Sequence, residues 1–250
     1  MHLAILLFIA LALANAAKVP TDPAAIEAGK QIYMGSCSGC HGPMGEGSQG
    51  PSLLSGRASR LADDNLFHSI KNGLPGTSMP NFPLPDDKVW QIAAFVRSLT
   101  APGFSMKVPG DAERGKRIFF GEGKCSGCHM ILGQGGYPGP DLSNTGAERT
   151  LHQIRESITK PSARIEEGYR AAAAALKSGA TLRGVARNWD NYTVQLMDKS
   201  GKLHLLDRSS LAKFEVMDQS MMPAADPAHV ADLLAFLARQ STRKFEGDGR

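Results

Sequence analysis

Two stretches of this chain place apolar residues at helical spacing behind an acidic start. Asp86 to Leu99 (DDKVWQIAAFVRSL) and Asp226 to Gln240 (DPAHVADLLAFLARQ) each open on Asp and carry Arg in the last turn. Both ends suit a helix dipole, so the pattern predicts two amphipathic helices. Between them the period changes. Thr181 to Arg187, Tyr192 to Met197 and Lys202 to Leu206 show partial alternation, separated by the turn signals Asp190-Asn191 and Asp198-Lys199-Ser200-Gly201. This predicts a small antiparallel sheet over about 170–215. Ala171 to Leu176 stays open, because its five alanines favour helix in isolation. Leu3 to Ala14 is apolar throughout, yet shorter than the ~20 residues that span a bilayer. With the small-x-small run Ala14-Asn15-Ala16 behind it, it reads as a secretory signal peptide, residues 1–16. The expectation is an exported, periplasmic protein with no transmembrane segment in the mature chain.

The mature chain repeats itself. Gly29-Lys30-Gln31-Ile32-Tyr33 precedes Cys37-Ser38-Gly39-Cys40-His41, and Gly115-Lys116-Arg117-Ile118-Phe119 precedes Cys125-Ser126-Gly127-Cys128-His129. Each copy continues to Gly-Pro-x-Leu (Gly50 to Leu53; Gly139 to Leu142), then to Met79-Pro80 or Met222-Pro223, then to one of the two helices. Thr100-Ala101-Pro102-Gly103 breaks the copies apart. The expected organisation is a first domain over 17–101, a linker over 102–110, and a second domain over 111–243 that carries the sheet. Composition agrees with a folded protein: 42% of residues are apolar and 21% charged. Aromatics at 6% are too few for an aromatic-rich β sandwich. The net charge of +4 comes with no Lys/Arg run, which excludes nucleic acid as a partner.

All four cysteines sit in Cys-x-x-Cys-His, the pattern of covalent c-type haem attachment. Two thiols add to the two vinyl groups along one porphyrin edge, and the next residue turns an imidazole toward iron. A four-cysteine zinc site wants its pairs much closer than Cys40 and Cys125. A thioredoxin-like pair needs a βαβ context, and none surrounds either motif. Structural disulfides suit an exported protein, but would not place His after every pair. The expected cofactors are two haems c, with iron bound by His41 and His129.

Methionine supplies the other axial ligand. Met79 lies in a Gly/Pro-rich loop that can hold a thioether against iron, and Met/His ligation suits electron transfer. Aligning Thr-Ser-Met-Pro with Ser-Met-Met-Pro selects Met222, with Met221, Met217 and His204 as alternatives. Pro51 and Pro140 follow their histidines by ten and eleven residues. Either carbonyl can accept a hydrogen bond from the other ring nitrogen and orient the imidazole. Arg57, Arg60 and Arg149 are candidates to pair with haem propionates, or else solvated charges.

The chain resembles a tandem of class I cytochrome c domains. The resemblance rests on Gly-x-x-x-[Tyr/Phe], Cys-x-x-Cys-His, Gly-Pro-x-Leu, Met-Pro and the final helix. It implies a mainly α fold of two helical domains, the second with the antiparallel insertion. In that family the first and last helices cross at a glycine–aromatic contact, which implies Gly29 and Tyr33 against the Trp90 to Leu99 segment. The second domain is also similar to haem-binding c-type domains with a β insertion between haem motif and methionine. The implied function is single-electron transfer between redox proteins, such as a periplasmic dehydrogenase or a terminal oxidase, without catalysis. The alternatives are a di-haem redox enzyme (a peroxidase or a sulfur-oxyanion oxidase subunit) and a haem-bearing docking module.

Overall fold

The computed structural model describes residues 19–54 and 60–242, so the expected signal peptide and Arg57 lie outside the described residues. The described chain forms two units, 19–20 with 25–96 and 21–24 with 97–242.

The first unit is helical: α1 (Pro23–Ser36), α2 (Ser38–His41), α3 (Asp63–Asn72) and α4 (Asp86–Ser98). Acidic residues open α3 and α4, and Lys71 and Arg97 close them, each charge opposing the dipole end beside it. α4 buries Val89, Ile92, Ala93, Ala94, Phe95 and Val96. α1 crosses it at Gly29, where a Cβ would sit 1.8 Å from the Gln91 carbonyl oxygen. The two backbones touch there. One turn on, the Tyr33 and Phe95 rings pack at 4.9 Å between centroids. The Tyr33 hydroxyl donates to the Gly42 carbonyl at 2.7 Å, tying α1 to the residue after His41. Burial pushes the Tyr33 phenol up to about 12. Trp90 stacks on Phe67 at 4.5 Å.

The second unit repeats the crossing with α5 (Ala112–Phe120), α6 (Thr145–Glu148), α7 (Leu151–Thr159) and α8 (Val230–Ala238). A Cβ on Gly115 would lie 2.0 Å from the Asp232 carbonyl oxygen, and Phe119 meets Phe236 at 5.6 Å. The Asp232 carboxylate accepts from the Asp111 backbone N–H at 2.8 Å and pairs with Arg114. These bonds hold its carboxyl below the ordinary range, the Asp111 amide most of all. Asp111 in turn caps α5 by accepting from the Glu113 and Arg114 amides. A capping box of Thr150 and Gln153 starts α7. In the segment expected as a linker, 102–110, Gly103 is buried and donates to the Arg149 carbonyl at 2.8 Å. The start of that segment therefore packs onto the second unit.

Two sheets belong to this unit. β1 (Met130–Ile131) and β2 (Gln134–Gly135) form a short hairpin directly after His129. β3 (Arg170–Leu176), β4 (Thr181–Trp189), β5 (Thr193–Asp198), β6 (Leu203–Asp207) and β7 (Leu211–Val216) form an antiparallel sheet in the order β6-β5-β4-β3-β7. Its two edge strands are consecutive in sequence, joined only by the turn Arg208–Ser210. Flat, the edges would stand ~19 Å apart, whereas the connection reaches at most ~14 Å. The sheet must curl toward closure. Its inner face is a separate small core of Ala172, Ala174, Ala186, Val194, Leu196 and Leu211. The alanine run is therefore strand: it pairs with β4 on one side and β7 on the other, and Ala172 and Ala174 lie in the inner core. β7 was not resolved by the alternation, though Phe214 and Val216 against Lys213 and Glu215 carry that signal.

In an exposed helix Gly→Ala gains ~1 kcal/mol; at these crossings the backbone clash reverses the sign. Gly115→Ala and Gly29→Ala are each expected to destabilise by at least ~2 kcal/mol, read as a fall in thermal midpoint of the holoprotein. Ala172 and Val216 are cross-strand partners, so the sheet's ends stand ~5 Å apart. Replacing 172–213 by a short Gly/Ser linker is expected to leave haem attachment intact by mass spectrometry. Loss of the covalent haem would instead make the sheet part of the pocket wall.

Candidate haem sites

Each Cys-x-x-Cys-His run is one helical turn, built the same way twice. The amides of Cys40 and His41 donate to the Cys37 carbonyl at 3.2 and 2.9 Å; those of Cys128 and His129 donate to the Cys125 carbonyl at 3.1 and 2.9 Å. Positions three and four residues apart share a helix face, so one turn groups both thiols with the imidazole. All four thiols are free, the first of each pair half-buried and the second exposed. Burial pushes the Cys37 thiol up to about 11 and raises that of Cys125.

A Gly-Pro pair clamps each turn. The Gly50 amide donates to the Cys40 carbonyl at 2.8 Å, and the Gly139 amide to the Cys128 carbonyl at 2.8 Å. The next residue holds the imidazole: His41 Nδ1 donates to the Pro51 carbonyl at 2.8 Å, and His129 Nδ1 to the Pro140 carbonyl at 2.9 Å. A carbonyl only accepts, so Nδ1 is the donating nitrogen and Nε2 is the one left to face a metal. His129 is buried, which lowers its pKa against the opposing Pro140 bond and keeps the ring neutral, as metal binding requires. Gly50 and Gly139 also matter as space. A Cβ on Gly139 would sit 2.6–3.0 Å from three atoms of the His129 ring, and one on Gly50 would lie 3.2 Å from the His41 ring. The repeated Gly-Pro was visible in sequence, but the glycine's part, lying flat against the imidazole, was not.

The methionine loops match as well. The Met79 amide donates to Thr77 Oγ1 at 3.2 Å, and the Met222 amide to Ser220 Oγ at 3.0 Å. Both methionines are half-buried. The Met79 loop folds back on the end of α3, with Leu74 N–H donating to the Met79 carbonyl at 3.3 Å. Met222 packs against the α5–α7–α8 core beside which Cys125 and Leu142 also lie. Of the alternatives, His204 Nε2 lies 2.7 Å from the Asp198 carboxylate, and Met217 follows β7, its backbone amide donating to the Ala171 carbonyl at 2.8 Å. Arg149 is paired with Glu166 and donates to Ser157 at 3.2 Å, and Arg60 is exposed. The donor set in each unit, two free thiols, one oriented imidazole and one thioether loop, fits haem c.

A family model described as cytochrome c oxidase, cbb3-type, subunit III matches residues 24–96, and one described as cytochrome c matches residues 112–183. The second match ends inside β4, short of Met222 and α8. The chain is 28% identical over 138 residues to subunit CcoP of the cbb3-type cytochrome c oxidase of Helicobacter pylori, covering 52% of this chain and 46% of that protein. It is 35% identical over 82 residues to cytochrome c-L of Methylorubrum extorquens, covering 31% of this chain and 42% of the relative. The chain thus spans about half the length of the curated relatives it matches. The crystal structure of cytochrome cL from Methylophaga aminisulfidivorans aligns at 36% identity and a TM-score of 0.30, over 32% of this chain and 56% of that one.

Substitution separates the adjacent methionines. Met222→Ala is expected to abolish the near-infrared sulfur–iron absorption of one haem, while Met221→Ala leaves both. The reverse pattern would shift the register by one residue, and no effect from either would assign that ligand to His204 or water.

Proposed function

Since this chain carries two cytochrome c domains in tandem, we propose that it is an exported di-haem electron carrier passing single electrons between redox proteins. The domains span 17–101 and 111–243, with the five-stranded sheet inserted in the second between haem motif and methionine. The observation that carries the reading is the repeated clamp: in both units a Gly-Pro pair orients the histidine by the same two bonds. A carrier needs each metal held with both axial positions filled, leaving no vacancy for a substrate.

Haem c supplies a one-electron iron couple when bound. The residues of this chain do the holding. Cys37 and Cys40, and likewise Cys125 and Cys128, would tether the group covalently. His41 and His129 present Nε2, held in place by Pro51 and Pro140. Met79 and Met222 would hold the iron through their thioethers; such ligation favours reduced iron and raises the potential. Burial of His129 keeps water from its ring. The likeness to a cbb3-type oxidase subunit supports a terminal oxidase as one partner, and a periplasmic dehydrogenase is the class that fits the other side.

Reduced-minus-oxidised spectra of the purified holoprotein, with and without carbon monoxide, test this. Two haems per chain and no carbon monoxide-dependent shift are expected. A shift from one haem would reveal an open axial position and favour the redox-enzyme reading.

A further inference from the structure

Among the described residues, only two that are not glycine adopt positive φ, and they bracket the second haem motif: Lys124 (φ 54°) and Leu132 (φ 49°). Leu132 and Gly133 (φ 81°) form the two-residue turn between β1 and β2. Such a turn wants Asn or Asp followed by Gly, because both central residues have positive φ. Leucine accepts strain there and gains nothing back from packing, since it is 66% exposed. Tyr137, just past β2, is 61% exposed. An outlier of this kind, apolar and at a surface, points to use.

The hairpin lies directly on the haem motif. The Gly136 amide donates to the Ser126 carbonyl at 2.9 Å, and a Cβ on Gly135 would lie 2.1 Å from the His129 carbonyl oxygen. The curled sheet also reaches this place, for a Cβ on Gly201 would be 3.8 Å from the Tyr137 ring. Gly201 belongs to the β5–β6 turn, in which Lys202 is its next residue and Lys199 lies two residues before it. Both lysines are exposed, and neither has an ion pair among the described residues. The turn is held in shape by the Asp198 carboxylate, which accepts from the Ser200 and Lys202 amides at 2.9 and 3.1 Å. Exposed Lys124 adds a third positive charge at the motif. Across the sheet, eight Lys/Arg face four Asp/Glu from Arg170 to Val216.

We propose that Leu132, Tyr137 and the Lys199–Lys202 turn form the docking surface of the second haem domain for a redox protein whose apolar contact spot is ringed by acidic residues. The proposal rests on the electron-carrier reading and assigns the sheet its part in it. Leu132 at the hairpin tip and Tyr137 beyond its end supply two exposed apolar contacts next to the haem motif, and the lysines steer approach.

The probe is a small blue-copper protein with acidic residues around its apolar spot, mixed in its oxidised form with the reduced holoprotein. One electron leaves the chain and reduces Cu(II) to Cu(I). Affinity and rate are measured at about 0.02 M and about 0.5 M ionic strength. Lys199→Glu with Lys202→Glu is expected to weaken binding about tenfold or more at low salt, with the difference vanishing at high salt. Leu132→Asn, which tolerates the turn, is expected to weaken binding several-fold at both salts without lowering the thermal midpoint. A charge-matched control, Lys177→Glu with Lys213→Glu, should have a much smaller effect. Equal loss in the control, unchanged binding in both test variants, or a haem spectrum altered by Leu132→Asn would each overturn the docking surface. Electrochemistry of the wild-type holoprotein separates the two readings: absence of a reversible one-electron wave would sink the carrier itself, whereas a normal wave with insensitive binding sinks the surface alone.

Discussion

No side chain separates the helices where α1 meets α4 and where α5 meets α8. At Gly29 and Gly115 the helix backbones are in direct contact, closer than any other residue permits. The rest of each unit hangs on that contact. α1 runs straight into Cys37, and α5 reaches Cys125 after one short turn, so the angle of crossing sets where each haem motif begins. The aromatic one turn later, Tyr33 or Phe119, fills the corner that the missing side chain opens. Around this shared joint the two units differ in detail. The first ties Tyr33 to Gly42 through a hydroxyl; the second, with phenylalanine there, joins its helices through Asp111, Arg114 and Asp232.

The second shared device is the Gly-Pro clamp. It works through backbone groups, so it survives a spacing of ten residues in one copy and eleven in the other. Up to the second positive-φ glycine the copies keep step, Gly45 and Gly47 standing four and six residues after His41 as Gly133 and Gly135 do after His129, so the additional residue of the second copy falls between Gly135 and Gly139. That stretch holds Tyr137, which meets Gly201 of the large sheet.

The large sheet keeps its own core, separate from the helical core of its unit. Its strand order makes it nearly self-sufficient: the first strand lies between the second and the last, and the edges are sequence neighbours. Such an element can be placed between His129 and Met222 because its ends emerge side by side.

Sequence alone determined the chemistry. Cys-x-x-Cys-His is local, and one helical turn is enough to group its donors, so spacing specifies the site before any fold is known. The two closing helices were equally legible, since amphipathic periodicity and end charges act within a few turns. Pro51 and Pro140 were legible as candidates because the copies repeat. Tertiary structure decided what depends on distant neighbours. Ala171 to Leu176 has the composition of a helix and becomes a strand because β4 and β7 flank it and take up its backbone hydrogen bonds. Gly50 and Gly139 gain meaning only when the chain folds back across an imidazole. The meeting of Tyr137 with Gly201 joins segments more than sixty residues apart, and no local pattern encodes such a contact.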